Sequence, residues 1–362
     1  MTSPIITEAV RVLIDRRDLT RIEAAAAMEA IMSGTATDSQ IAAFLTALRM
    51  KGETVEELIG FAQVMRQKAV RVRTRGTEAS ASLTGTDREM LIDTCGTGGD
   101  ASGTFNVSTA TAFVVAGAGL KVAKHGNRSM SALSGASLCG SADVVETLGV
   151  NLQLTPEQVG RCVSEVGIGF LYAPLLHTAM KHVMTARREI GIRTVFNLLG
   201  PLTNPAGANA QVIGVAAASL TEPLARVLAE LGTHRAFVVH GADGLDEISN
   251  TGESRISEVR EGVVRTFTVR PEDFGLPRAA ITELLGGDRE QNAEIIRTIL
   301  RGEVGARRDI VLMNAAAALV AGGKARDLKE GVELAARSID TGAGRGKLEQ
   351  LVRFTRELSP DA

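Results

Sequence analysis

The sequence predicts an α-helical unit over residues 4–70 followed by an α/β unit whose mostly parallel sheet is covered by helices on both faces. Three observations predict this. Apolar residues recur at helical spacing through the N-terminal segment, as in Ile41, Phe44, Leu45 and Leu48. From Leu91 onward, β-branched runs alternate with helical ones. A glycine-rich turn, Gly96-Thr97-Gly98-Gly99-Asp100, leads from the first of those runs towards the next helix.

In chain order, residues 4–70 read as four helices. Thr20-Arg-Ile-Glu23 and Thr54-Val-Glu-Glu57 match the capping box, and Val55, Leu58, Ile59, Ala62 and Met65 form an apolar face. Residues 74–88 are rich in Thr, Ser, Gly and Ala and read as a loop or linker. Strands are expected at 91–94, 120–124, 211–216, 235–240, 255–259 and 262–269, the last two as an antiparallel hairpin. Helices are expected at 108–118, 141–149, 156–166, 174–190, 219–231, 289–302, 307–321, 327–340 and 344–357. No internal repeat is evident.

Composition narrows the function classes. The chain has 362 residues, enough for two domains; 44% are hydrophobic and 23% charged, as in ordinary globular proteins. Lys and Arg total 40 against 42 Asp and Glu, a net charge of −2 that argues against nucleic acid as a partner. Aromatic residues are scarce, with no Trp, one Tyr and ten Phe, which disfavours base-stacking platforms. Cys95, Cys139 and Cys162 are odd in number, far apart and without CxxC spacing, so they read as reduced thiols. Glu8, Arg11 and Asp15 interrupt the first apolar stretch, which is therefore not read as a signal peptide. No uncharged apolar run reaches the roughly 18 residues of a membrane span. A cytoplasmic, soluble protein is expected.

Two segments carry the chemistry: Gly96-Thr97-Gly98-Gly99-Asp100 and Lys124-His125-Gly126-Asn127-Arg128-Ser129. Glycines so closely spaced cost backbone entropy, and their usual reasons are positive φ or close approach of N–H groups to a ligand. Successive N–H groups make an anion-binding concavity. Asp100 would repel an anion unless a metal stood between them, so a metal-bound phosphate or pyrophosphate is the expected ligand. Ser108 or Thr109 is the expected N-cap of the following helix, whose positive end would face the glycine loop. The segment reads as strand, glycine loop, helix, strand, with ligands expected at the carboxyl ends of the strands. The competing reading is an ordinary tight turn and a basic loop. Asp246-Glu247, after Gly244, is a plausible hard-metal site or else a solvated turn.

With Arg193-Thr-Val-Phe-Asn-Leu-Leu-Gly-Pro-Leu-Thr-Asn-Pro205 and Gly244-Leu-Asp-Glu-Ile-Ser249, these motifs resemble the anthranilate phosphoribosyltransferases of tryptophan biosynthesis, up to about Phe354. The resemblance implies a nucleoside phosphorylase-like fold: a small helical domain (1–73), rejoined by a helix from about 174–190, and a large α/β domain (89–362). It implies an active site in the cleft between them and a homodimer formed through the helical domain. Phosphoribosyl pyrophosphate and anthranilate would be the substrates and Mg²⁺ the cofactor, two ions per site with substrate bound.

Carried over by motif, Gly96, Gly99, Asp100, Thr104, Asn106, Ser108, Thr109, Lys124 and Ser141 would contact phosphoribosyl pyrophosphate. Ser108, Asp246 and Glu247 would ligate the metal, and Gly96, Asn127 and Arg187 would meet anthranilate. A benzoate carboxylate suits a guanidinium fork and an amide donor. On the residues alone, Arg187 reads as a surface arginine near a helix C-terminus. His125 and His177 could line the pocket or serve as structural hydrogen-bonders. Arg128 is a phosphate clamp or an ion-pair partner. No residue is assigned general-base work, because an aromatic amine is neutral and nucleophilic at pH 7, and orientation then carries much of the barrier reduction.

The chain also departs from the family pattern. About five extra residues fall within 129–139, so the phosphate-contacting serine maps to Ser141 or Ser137. His177-Thr178 and Thr185-Ala186 replace the usual His-Pro and Pro-Val. Transfer to another aromatic amine acid, a pyrimidine nucleoside phosphorylase and a non-catalytic nucleic-acid-binding relative are the alternative functions.

Overall fold

The computed structural model describes residues 2–75, 89–100, 102–128 and 139–358. Most of the 74–88 linker, the extra residues after Arg128 and Ser137 lie outside them. Four helices come first: α1 (Pro4–Ile14), α2 (Arg21–Met32), α3 (Asp38–Lys51) and α4 (Val55–Lys68). Both expected capping boxes close, Thr20 with Glu23 and Thr54 with Glu57, and Thr37 with Gln40 adds another. Their apolar stripes meet around Met28, Phe44 and Phe61, all fully buried.

The α/β part follows as β1 (Leu91–Gly96), α5 (Val107–Gly117), β2 (Lys121–Gly126), α6 (Ser141–Thr147), α7 (Pro156–Arg161), β3 (Ile168–Tyr172), α8 (Ala173–Leu176), α9 (Lys181–Ile190), α10 (Val195–Leu202), β4 (Ala210–Gly214), α11 (Thr221–Glu230), β5 (Arg235–Gly241), β6 (Ser254–Arg260), β7 (Val263–Val269), α12 (Arg289–Leu300), α13 (Ala306–Ala321), α14 (Leu328–Asp340) and α15 (Ala343–Glu357). The strands form one sheet of seven in the order β3-β2-β1-β4-β5-β6-β7. Pairing is parallel from β3 to β5 and antiparallel from β5 through β7. Strand alternation covers both faces: Phe237 and Val239 join one buried cluster with α5, α13 and α15, while Ala236 and Val238 join another with α1–α4, α10 and α11.

Four sequence expectations need correction. β3 was not expected, because Gly169 breaks the β-branched signal; the glycine is needed there, since a Cβ would press on Val163 at 2.7 Å. α10 was not expected because it contains Gly200 and Pro201; it starts because the Asn197 side chain accepts the Thr194 N–H at 3.0 Å. The 174–190 helix is interrupted at His177 (φ −115°, ψ 58°), whose ring turns into the interior, and only α9 continues. The 156–166 helix changes to π-helical winding over Cys162–Val166. α9 packs against α3 and α2 of the N-terminal bundle.

Candidate active site

β1 and β2 run parallel, so the glycine loop after β1 and Lys124-His125-Gly126-Asn127 at the end of β2 emerge at the same edge of the sheet. A cavity of about 420 Å³ opens there. Gly98 (φ 62°) and Gly99 (φ 79°) hold left-handed backbone, as expected of an N–H cradle. Gly96 is required for another reason. The Asp246 carboxylate occupies the place where its Cβ would stand. In the same way, the Arg193 guanidinium fills the space over Gly99 and donates to the Thr97 carbonyl at 3.2 Å.

The loop between β5 and β6 delivers two acids to this cradle. Asp246 accepts the Gly98 N–H at 3.1 Å. Asp243 braces the loop by accepting the Leu245 N–H at 3.1 Å and the Thr251 hydroxyl. From α13, buried Asn314 accepts the Ile248 N–H at 3.0 Å and donates to its carbonyl at 2.9 Å. Burial and the neighbouring Asp100 carboxylate push the Asp246 carboxyl up to about 7. Burial, then Asp246, push Glu247 well above the usual carboxylate range, against the pull of Lys124 and the Ser108 N–H. Acids crowded in this way are the donor set of a hard divalent cation. Among the described residues, no group of three or more His, Cys, Asp or Glu completes a metal cage. Mg²⁺ takes one or two carboxylates, which the Asp246 and Glu247 pair could supply, together with substrate oxygens.

The glycine-loop side of the cavity is tied together by polar side chains. Ser102 Oγ donates to Asp100 Oδ2 at 2.6 Å and lies 3.1 Å from the Thr104 hydroxyl. Neither Ser108 nor Thr109 caps α5. Asn106 holds the N-cap position without a capping bond, because its amide donates to the Cys139 carbonyl at 3.3 Å and accepts from Asn292 at 3.1 Å. Ser108 lines the cavity, whereas Thr109 lies behind it in the first turn of α5. Lys124 is buried with its ammonium 3.4 Å from the His125 carbonyl. Ser141 stands at the head of α6, 3.5 Å from the Asn127 carbonyl. Arg128 is an ion-pair partner, donating to Asp143 at 2.9 Å and to Glu146 at 2.8 Å.

Across the cavity, α9 presents Arg187, whose guanidinium lies 5.4 Å from the centre of the Phe196 ring. Among the described residues no carboxylate pairs with it, and burial lowers its affinity for its proton. Asn127 lines the same cavity. His125 reaches the cavity wall, while His177 packs behind it with ring centroids 5.1 Å apart. Burial, then His177 and Lys124, lower His125 to about 3, and burial lowers His177 to about 4, so both are neutral. Burial pushes the Cys95 thiol well up, leaving an inert group. Arg193, Phe196 and Asn197 were not singled out for the site. All belong to the quoted 193–205 motif, but nothing in their spacing shows that they face the glycine loop.

Known proteins resemble this chain in sequence and fold. Residues 88–345 match the α/β domain of a glycosyl transferase family and residues 7–69 its helical bundle domain. The anthranilate phosphoribosyltransferase of Symbiobacterium thermophilum is 56% identical over 98% of both chains. The crystal structure of the Thermus thermophilus enzyme is 42% identical, with a TM-score of 0.86 over 96% of this chain and 99% of its own. The Saccharomyces cerevisiae enzyme in complex with PRPP and Mg is 27% identical, with a TM-score of 0.85 over 99% of both chains. A glycine loop, two convergent acids and an arginine with no carboxylate partner among the described residues thus line one cavity in a chain that belongs to the anthranilate phosphoribosyltransferase family, the glycosyltransferases that form N-(5-phosphoribosyl)anthranilate in tryptophan biosynthesis.

Proposed function

We propose that this cavity binds phosphoribosyl pyrophosphate against the glycine loop and anthranilate against Arg187. The observation that carries this is the contact of Asp246 with the Gly98 N–H, which brings the paired acids onto the glycine loop. The Gly99 N–H faces the pyrophosphate, with Gly96, Gly98, Asp100, Thr104, Asn106 and Ser108 around it and Thr109 behind Ser108. Lys124 and Ser141 bind the remaining donor oxygens. Ser108, Asp246 and Glu247 hold Mg²⁺, two ions with substrate bound, which neutralises charge on the departing pyrophosphate. Fixed donors and cations aimed at that developing charge are the main electrostatic contribution of the site. Arg187 and Asn127 take the anthranilate carboxylate and, with Gly96 close by, turn its amine towards C1. No residue needs to remove a proton before attack, and both buried histidines are neutral at working pH. They shape the pocket.

Residues 1–73 act as a helical domain with α9 returned to it, and residues 89–362 as the α/β domain. Two copies pair through the helical domain, on whose surface Ile14, Ile22 and Met50 are exposed. The protein works in the cytoplasm. A net charge of −2 disfavours the nucleic-acid alternative.

The test follows anthranilate fluorescence with purified protein, Mg²⁺ and phosphoribosyl pyrophosphate. The expected result is loss of signal that needs both donor and metal. No loss from folded protein that still binds the donor would move the acceptor to another aromatic amine acid.

A further inference from the structure

The Gly200-Pro-Leu-Thr-Asn-Pro205 stretch supplies no group to the reaction described above, yet its Asn204 is 8% exposed and sits between the two strands that carry the donor cradle. The β1–β2 ladder contains Leu91↔Lys121 and Ile92↔Val122 and stops. β1 stays paired with β4 as far as Gly96↔Gly214, and β2 with β3 as far as Gly126↔Tyr172. Beyond Ile92 and Val122 each strand therefore follows its outer neighbour, and the backbone groups facing the gap need other partners.

One carboxylate and one amide supply them. Asn204 Nδ2 donates to the Ala123 carbonyl at 2.9 Å and to Asp93 Oδ2 at 2.7 Å. Asp93 Oδ1 accepts the His125 N–H at 3.0 Å, and Asn204 Oδ1 accepts the Ala206 N–H at 2.9 Å. Asp93 is fully buried, with Lys124 as its cation. Neither Asp93 nor Asn204 belongs to the cavity wall. The residues they grip, Ala123 and His125, flank Lys124.

We propose that Asp93 and Asn204 form a clasp that holds β1 and β2 apart and so positions Lys124 opposite the glycine loop for phosphoribosyl pyrophosphate. They are positioning residues, and the proposal rests on the donor-site reading above. The pairing depends on one partner that only accepts. An amide at position 93 of the same shape would aim one of its own N–H groups at the Asn204 amide or the His125 N–H. A purely structural role would lower stability and leave the donor affinity of the folded protein unchanged.

The test measures binding of phosphoribosyl pyrophosphate with Mg²⁺ by calorimetry, without acceptor, to wild type, D93N, N204S and the double variant, each checked for folding by circular dichroism. The expected result is a dissociation constant raised about tenfold or more in each single variant, with KM for anthranilate within twofold of wild type. The double variant is expected to lose no more than the worse single, as two members of one network do. Changes under threefold in both folded single variants, or losses that add in the double, overturn the clasp. Should D93N fail to fold, N204S decides the matter by the same threshold. Absence of donor binding to wild type overturns the donor-site reading itself.

Discussion

The two halves of the cleft are built differently. The half proposed for the donor comes from strand ends and backbone: β1 opens into Gly96–Gly99, Lys124 stands near the end of β2, and the β5–β6 loop presses Asp246 onto the Gly98 N–H. The half proposed for the acceptor comes from helical side chains, with Arg187 on α9 lying over Phe196 on α10. Sheet ends bring N–H donors into fixed register and suit a large, highly charged ligand. Helix side chains are individually replaceable and suit the choice among small acceptors. On the proposed assignment, the difference teaches that reaction class and substrate identity would rest on separate elements of this protein.

The comparison is broken most severely from the donor side. D246A or E247A should lower metal-dependent kcat/KM by about 10²–10³, the scale of losing one preorganised electrostatic contact. Full activity in both variants would remove these acids from the metal site. R187A should act on the other half alone. The loss of a charge-assisted pair, worth about 1.5–3 kcal/mol, should raise KM for anthranilate by about 10- to 100-fold while leaving KM for the donor within about twofold. Equal effects on both substrates would show that the halves are not separable.

An effect on stability instead of turnover sharpens the boundary between the halves, where His125 and His177 meet. Both are held below the ordinary histidine value, to about 3 and about 4, with Lys124 the nearby cation. Below about pH 6.5 the unfolded chain takes up protons that the folded protein refuses. Stability is therefore full above that pH and falls as pH drops towards 4, by up to about 1.4 kcal/mol per pH unit for each histidine. Replacing His177 by Asn should flatten this acid limb in thermal melts at pH 4–7. An unchanged slope would mean that the pair does not titrate on unfolding.

Much of this was legible in the sequence because it is local. Capping boxes at Thr20 and Thr54 need only neighbours three residues away, and both close in the structure. The left-handed backbone of Gly98 and Gly99 follows from their own missing side chains. Where a residue serves a distant partner, the local signal misleads. Asn106 looks like a neighbour of two better N-caps, but its amide is taken by Cys139 and Asn292. Gly169 weakens a strand pattern because a helix must press close to it.

By itself, then, the sequence determined most of the order of helices and strands, though not β3 or α10, together with the glycine cradle and the family, since these depend on spacing along the chain. Tertiary structure decided the rest. Asp246 meets Gly98 across 148 positions, Arg193 covers Gly99, and Asn204 joins Asp93 across 111. Such pairs carry no periodicity, and only the packed sheet and its helices bring their polar atoms within bonding distance.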